Sequence, residues 1–401
     1  MSSHDHLEPR PLGGPWINKA VVFFGIFALI TFVLIGKRLI FGLGSVSNLN
    51  GGYPWGIWIA YDLITGTGLA CGGWALGWLV YVFNQGRYHP MVRSAVLASF
   101  FGYSLGGLSI LIDVGRYWNI YYFYVPGQIN TSSVLFETAF CMTLYIFVMV
   151  GELLPIVLEK FKMHKLLKHV NKVMFLVLGF GILLPTMHQS SMGSLMIAAG
   201  HKLHPLWQSQ EMLGLFALLT AFIMGMSIAI FEGSLVKAAL KDKAPDETAL
   251  FTKLTTTIAV LVGLFVVLRF GTIVYQGKLN YLMNFDFYSF MYFIEVLFFA
   301  LGLFVFTNKA CRKNAKSLFW GAVCILLGAA IWRMTYTLIA YNPGEGYLYF
   351  PSAEELLITV GFISIEIVGF ILLVKFLPVL SLPPAKKKDS SSQVQNQPVN
   401  A

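Results

Sequence analysis

The chain has 401 residues, of which 57% are hydrophobic and only 12% are charged, and its formal net charge is +9. Soluble domains carry about twice that share of charged residues, so this composition excludes an ordinary soluble protein and requires lipid as the solvent. The four cysteines (Cys71, Cys141, Cys311 and Cys324) are scattered. Iron–sulfur and zinc sites need clustered thiolates, so we expect neither in this chain.

Ten long apolar runs follow one another along the chain. Only helices and closed barrels satisfy their backbone in lipid, and these runs are too long and continuous for barrel strands. We therefore predict an all-α integral membrane protein with about ten transmembrane helices in a bundle. The predicted spans are roughly residues 20–36, 55–83, 94–114, 134–158, 171–190, 209–232, 251–275, 288–307, 317–341 and 356–379.

The polar ends of the chain flank this bundle. We divide the chain into a polar N-terminal leader (1–19), the transmembrane bundle (20–380) and a polar tail (381–401) of low complexity, which we expect to be disordered. The first apolar run has no small-residue cleavage site and ends at Lys37 and Arg38. It is therefore interpreted as a retained span and not as a signal peptide.

The basic residues collect on one side of the predicted topology. With ten spans, both termini and the even-numbered loops share a side. That side carries Arg10, Lys19, Arg87, Arg93, Lys160, Lys162, Lys165, Lys168, Lys172, Lys237, Lys241, Lys243, Lys309, Arg312, Lys313, Lys316 and Lys386–Lys388. The positive-inside rule therefore predicts that both termini are cytoplasmic. Orientation accounts for the basicity, and no nucleic-acid partner is needed.

The second and third spans contain the first buried acids. Asp62 in span 2 is followed by Gly66, Gly73 and Gly77 on one stripe, which favours close helix packing. Span 3 places Tyr103 and Asp113 on one face, with Asp113 about 15 Å further outward. Asp113 has a simpler alternative, an ion pair with Arg116.

The loop after span 3 is dense in aromatic residues between Tyr117 and Tyr124. This density suits a surface for protein docking or the mouth of a site for a flat-ring ligand. Thr131, Ser132 and Ser133 offer a cap to span 4, whose first turns carry Glu137.

Span 5 contains Pro185 and His188. Because proline cannot continue the backbone ladder, we expect a break at Pro185, with irregular backbone lining a cavity. The later spans carry Glu232 at an inner end. They also carry Glu295, Arg333 and Glu366, which we expect to form a buried charge network.

Two kinds of function fit these residues. Asp62, Tyr103, Asp113, Glu137 and His188 fall in the outer halves of the spans. A quinone head needs hydrogen-bond partners, apolar walls and proton relays. A proton-coupled transporter would use the same mid-depth carboxylates, so the residues alone leave both open. His188 is the single histidine we place inside a span, so a haem with two histidine ligands is not expected.

Several long motifs resemble the NrfD/PsrC family of integral membrane quinone-interacting subunits. They are GGYPWGIWIAYDLITGTGLACGGWALGW, SFFGYSLGGLSILIDVGRYWN, SSVLFETAFCM, LLPTMHQSSMGSLM, HPLWQSQEM and IFEGSLV. The similarity is greatest to the HybB type, the membrane subunits of hydrogenase-2-like [NiFe] hydrogenases. It extends over most of residues 40–380.

The resemblance implies a redox function in the bacterial cytoplasmic membrane. Such subunits anchor [NiFe] hydrogenase large and small subunits through a periplasmic ferredoxin-like iron–sulfur subunit, and pass electrons between that subunit and menaquinone. They hold no haem or metal and do not act on hydrogen by themselves. A polysulfide- or nitrite-type reductase partner remains an alternative within the family, and a secondary transporter remains one outside it.

The family's functional positions correspond to Tyr103, Glu137, His188 and Glu232. We expect Tyr103 and His188 to hydrogen-bond the quinone head, Glu137 to transfer its proton, and Asp62 and Asp113 to line the pocket. Glu232, at the cytoplasmic end, would feed a proton path and make turnover electrogenic. The simpler alternative is a solvated carboxylate at a helix end.

Overall fold

The computed structural model describes residues 8–209, 211–241, 244 and 247–382. This part contains ten helices that are long and apolar enough to cross a membrane, which confirms the predicted fold class. They are α1 (Lys19–Phe41), α2 (Trp58–Val82), α3 (His89–Asp113), α4 (Val134–Lys160), α5 (His164–Ser194), α6 (Leu213–Leu240), α7 (Thr248–Tyr275), α8 (Phe287–Thr307), α9 (Ala315–Met334) and α10 (Ala353–Phe376).

Both ends of the described chain lie at the same face of the bundle. Strand β1 (Glu8–Arg10) pairs antiparallel with β2 (Leu380–Leu382), and Pro9 lies opposite Ser381. We call this side the terminal face and the opposite side the far face. Residues 381 and 382 of the segment expected to be disordered belong to β2; residues 1–7 and 383–401 lie outside the described residues.

Side-chain caps define where several helices begin. Asn18 accepts a hydrogen bond from the Val21 amide at the start of α1. Ser352 and Glu355 form a capping box at the start of α10. Each cap satisfies amide groups that the helix itself leaves unpaired, so the helix start is well defined.

Helices α2 and α6 form the centre of the bundle, and they are the most deeply buried of the ten spans. Three antiparallel pairs pack around them: α4 with α5, α8 with α9, and α1 with α10. Most of the α1 side chains face outward to where lipid lies. Exposing an apolar side chain to lipid costs no free energy, because lipid tails are equally apolar. The helices of a membrane bundle therefore pack together mainly through polar and small side chains.

The central helix α2 is irregular. It is π-helical over Trp58–Thr65 and Trp78–Val82, and its α-helical pieces are interrupted at Ala70 and Cys71. A Cβ on Gly73 would come within 3.0 Å of the Val96 Cα, which confirms close packing there. For Gly77 the same prediction is wrong, because a Cβ would meet nothing within 4 Å.

The predicted break at Pro185 is also wrong. Helix α5 continues through Pro185 to Ser194, and a 3-10 helix, Leu195–Lys202, follows it. Transmembrane helices tolerate proline because neighbouring groups satisfy the freed carbonyl. The irregular backbone that the sequence suggested therefore begins about two and a half turns later.

Candidate functional site

Tyr103 and His188 lie together at the centre of a buried polar cluster. The His188 Nε2 atom is 3.1 Å from the Tyr103 hydroxyl, and the Gln189 side-chain amide donates to the same hydroxyl at 3.2 Å. Cys71 Sγ is also 3.2 Å away. Every one of these side chains is inaccessible to solvent. The structure thus brings together two residues that lie 85 positions apart in the chain.

Arg333 of α9 joins the cluster from the other side. It donates to the Gln189 Oε1 atom at 2.9 Å and to Thr220 Oγ1 at 3.2 Å. It also donates to the backbone carbonyls of Ile64 at 2.5 Å and Ala217 at 2.7 Å. The fully buried guanidinium is therefore satisfied by neutral acceptors. Gln189 links it to Tyr103, because the Gln189 amide accepts from Arg333 and donates to the Tyr103 hydroxyl.

The expected network of Glu295, Arg333 and Glu366 is wrong. Glu295 instead pairs with Arg269, whose Nε lies 2.8 Å from the carboxylate. Glu366 lines a cavity on another side of the bundle. The three residues lie on three different helices, α8, α9 and α10. Their spacing along the sequence does not show which helices pack against each other.

A cavity of about 520 Å³ lies among α2, α3, α6 and α10. Its walls are mostly apolar, and three carboxyl groups face it, those of Asp62, Glu232 and Glu366. Leu235 and Ile363, on its rim, are also exposed on the outer surface of the bundle. The cavity thus opens on the outer surface of the bundle between α6 and α10. This opening faces the side where the membrane lies.

A thin wall of small residues separates the cavity from the Tyr103 cluster. Gly102 and Gly106 face the cavity, whereas Tyr103 between them faces the cluster. On α2, Ala70 lines the cavity while Cys71 belongs to the cluster. A Cβ on Gly102 would lie only 2.5 Å from the Ala70 Cβ, so α2 and α3 are in direct contact here. Tyr103 and His188 themselves do not line the cavity.

The two predicted aspartates have different surroundings. Asp62 lines the cavity and accepts a hydrogen bond from Thr359 at 2.8 Å. Asp113 lies at the far face, where its carboxylate accepts from the Gly56 amide at 3.1 Å. In the described part of the chain, its expected alternative partner Arg116 is not in an ion pair with it. Asp113 therefore holds the start of α2 and is not in the cavity.

Glu137 lies in the first turn of α4 and is half-buried. The α4 residue that contacts the cluster is Tyr145, whose ring centroid is 4.7 Å from that of Tyr103. Eight helical residues separate Glu137 from Tyr145, about 12 Å along the axis. Glu137 is therefore on the far-face side of the cluster and not in contact with it.

Glu232 is at the junction of two cavities. It lines the large cavity and also a smaller one of about 40 Å³, which extends to Glu247 and β2 at the terminal face. Glu232 is half-buried where these cavities meet, eight residues before α6 ends at Leu240, so the solvated carboxylate near a helix end stays an alternative for it. Glu366 lines the large cavity together with Glu232, and its Oε1 lies 3.9 Å from a Cβ built on Gly102.

Several polar members of these surroundings were missed in the sequence. Gln189, Cys71 and the cluster position of Arg333 belong to this group, as do Glu152 and Tyr145. A signal existed for Glu152, because an ionisable residue inside an apolar run marks a functional site by default. Gln189 and Cys71 carry no such signal, since small polar residues are common within transmembrane helices.

The chain is similar to known membrane subunits of respiratory enzymes. The sequence profile described as "Polysulphide reductase, NrfD" matches residues 45–341. The "Probable Ni/Fe-hydrogenase 2 b-type cytochrome subunit" of Escherichia coli K12 is 60% identical over 387 residues, 96% of this chain and 97% of that protein. The "Menaquinone reductase, integral membrane subunit" of Nitratidesulfovibrio vulgaris is 29% identical over 186 residues, 45% of this chain and 42% of that protein.

The name of the E. coli relative raises the question of a haem. Among the described residues, His188 is the fully buried histidine, and its Nδ1 lies 2.9 Å from the Leu184 carbonyl while its Nε2 contacts Tyr103. Both ring nitrogens are engaged, and the large cavity does not reach the ring. The described residues therefore do not fit an axially ligated haem.

Proposed function

Because the chain belongs to the NrfD family, we propose that it is the quinone-reactive membrane subunit of a respiratory hydrogenase. It passes electrons between a periplasmic ferredoxin-like iron–sulfur subunit and menaquinone, and it anchors the [NiFe] hydrogenase small and large subunits. The E. coli relative, similar along almost the whole chain, supports the hydrogenase partner. Copurifying subunits distinguish this from a polysulfide- or nitrite-type reductase. Family membership favours a redox function over a secondary transporter.

The observation that carries the quinone function is the laterally open cavity beside the Tyr103–His188 pair. An apolar cavity of about 520 Å³ that opens toward lipid suits a hydrophobic substrate that arrives within the bilayer. A quinone head needs donors for its carbonyl oxygens. The Tyr103 hydroxyl is one; the His188 ring, whose Nδ1 donates to the Leu184 carbonyl, becomes one at Nε2 when it carries a second proton. The wall at Ala70 and Gly102 must shift for the head to reach them. The interruption of α2 at Ala70 and Cys71 is the natural place for that shift.

Each of the other predicted site residues has a different role in this proposal. Asp62, in the cavity wall, contacts the quinone. Glu137 transfers a proton on the far-face side, and Glu232 supplies one through the smaller cavity from the terminal face. Asp113 positions the start of α2 through Gly56. Reduction of the quinone takes two electrons from the partner and two protons through these groups.

Charge and aromatic exposure support the orientation in this proposal. The terminal face carries most of the Lys and Arg residues, so we place it in the cytoplasm. The 3-10 helix Tyr117–Tyr124 at the far face exposes Trp118 and Tyr121 by more than half. Exposed aromatic residues are typical anchors of protein interfaces, and here they would meet the iron–sulfur subunit on the periplasmic side.

Tyr103→Phe tests the proposal most directly, because it removes one hydroxyl and keeps the ring. We expect hydrogen-dependent reduction of a menaquinone analogue by membranes to fall about 100-fold, the size of a lost proton-transfer group. Reduction of a soluble viologen, which takes electrons upstream, should be unchanged and reports assembly. Unchanged quinone reduction in an assembled complex would contradict the proposed site.

A further inference from the structure

Glu152 is a half-buried acid within a membrane-spanning helix that the proposed quinone site leaves unused. It lies on α4, eight residues before the helix ends at Lys160, about 12 Å from the terminal face. Its carboxylate lies directly against Gly181 of α5, where a Cβ would overlap Oε1. Among the described residues it forms no hydrogen bond and no ion pair. A carboxyl group at this depth without a partner is costly unless it has a function or a water.

A small cavity supplies the missing environment. Glu152, Tyr145 and Tyr81 line a space of about 20 Å³ between α2, α3, α4 and α5. A water molecule needs about 10–15 Å³ of such volume. The glycines Gly77 and Gly181 leave this space free of side chains. One water therefore fits in the cavity that Glu152 and Tyr145 both line.

The cavity lies between the cluster and the terminal face. At its upper end, Tyr145 packs edge-on against Tyr103 and lies 6.1 Å from the His188 ring. At its lower end, Tyr81 is 41% exposed and contacts the His89 ring at the start of α3. Titratable groups thus follow one another from the surface to the Tyr103–His188 pair.

Helix α2 separates this cavity from the large one. Asp62, Gly66 and Ala70 of α2 face the large cavity, which contains Glu232. Gly73, Gly77 and Tyr81 face the small cavity, which contains Glu152. Glu152 and Glu232 lie at similar depth, but on opposite sides of the central helix α2. The two cavities share no lining residue.

We propose that Glu152 and Tyr145 form a second proton route, from the terminal face to the Tyr103–His188 pair. This inference rests on the proposed quinone function of that pair. Two electrons from the iron–sulfur partner and two protons convert the quinone to quinol. Glu152 releases one proton through the water to the Tyr145 hydroxyl, which passes its own proton to the Tyr103–His188 pair. Glu152 then regains a proton from the terminal face past Tyr81.

Glu152→Gln in the assembled complex tests the route. We expect quinone reduction to fall about 100-fold through a lower kcat, with an unchanged KM for the quinone analogue and unchanged viologen reduction. Glu152→Asp keeps a carboxyl group and should recover most of the rate. If Glu152 only filled space, the shorter aspartate would not restore the rate better than the glutamine, which has the size of the native side chain. Val150→Ala, two residues away and facing lipid, is the matched control and should behave as the wild type.

A second variant makes the test decisive. If Glu152→Gln also lowers viologen reduction, Tyr145→Phe replaces it, because the ring that packs against Tyr103 stays. Full quinone reduction by either assembled variant, where Tyr103→Phe has lost it, overturns the route and leaves the quinone site standing. If Tyr103→Phe also retains full quinone reduction, the proposed function itself fails.

Discussion

At the scale of single residues, Arg333 is the side chain whose surroundings are least expected. A cation in the bilayer interior normally pairs with an acid, yet Arg333 binds two backbone carbonyls, an amide oxygen and a hydroxyl. The planar guanidinium can reach all four at once, which a lysine cannot. Arg333 thereby ties α9 to α2, α5 and α6 at the level of Gln189 and Tyr103.

Arg333→Lys should therefore destabilise the protein although the charge is kept. Each acceptor left without a donor costs about 1–3 kcal/mol in the free energy of unfolding. We expect a clear fall in the midpoint of thermal unfolding in detergent. The control is Arg312→Lys, because Arg312 lies at the terminal face in partial contact with water and donates to Thr252. Equal midpoints for the two variants would show that Arg333 acts through charge alone.

At the scale of elements, short irregular segments decide the geometry around the site. The far-face segment after α5 returns toward α9: the His204 amide donates to the Ala340 carbonyl at 2.9 Å, and Leu203 forms a bridge with Tyr341. The His204 ring stacks on Tyr288 at 4.2 Å, and its Nδ1 accepts from the Leu206 amide at 3.4 Å. A protonated ring could not accept this hydrogen bond.

His204 predicts an acid sensitivity of this segment. Burial lowers the pKa of His204, a change that Asp286 opposes and Lys278 assists. The unfolded chain, with a histidine pKa of about 6.5, then binds more protons than the folded one. Stability is fully present above that pH and is lost as the pH falls below it.

The measurement is the unfolding midpoint in detergent at pH 7.5 and pH 5.5. We expect the wild type to lose more on acidification than His204→Asn, because an asparagine oxygen can accept the Leu206 hydrogen bond and does not titrate. If both proteins lose the same amount, another group is responsible for the acid sensitivity.

At the scale of the whole molecule, the bundle places its acids at different depths. Glu137 is near the far face, the Tyr103 cluster is at mid-depth, and Glu232 and Glu152 are nearer the terminal face. Cavities extend from the last two toward the terminal face. The routes proposed for Glu232 and Glu152 thus lead to the side opposite the proposed aromatic docking surface.

Turnover should therefore move charge across the membrane. In proteoliposomes with the hydrogenase subunits outside, hydrogen-to-quinone turnover should raise the lumen pH, read with a trapped pH-sensitive dye. Glu232→Gln should slow this rise, since one of two inner routes is closed. A lumen pH that stays constant during rapid quinone reduction would mean that the protons come from the far face.

Much of the fold was predictable because lipid imposes simple rules. Apolar length predicts the ten spans, and their even number agrees with the β1–β2 pairing that places both ends of the described chain at one face. The association of Tyr103 with His188 was also anticipated. Pro185, Gly77 and the supposed network around Arg333 were interpreted wrongly, because each depends on which neighbours satisfy or fill the space around it.

The sequence by itself determined the class of the protein, its spans and its family, since hydropathy and long motifs are properties of contiguous residues. Only the tertiary structure decided which polar residues share a space. Whether an acid faces a cavity, a cation or a glycine depends on how its helix is rotated about its own axis and on which helices pack against it. Glu152 and Glu232 show this: both are acids in apolar runs, and only the packing of α2 between them assigns each to its own cavity.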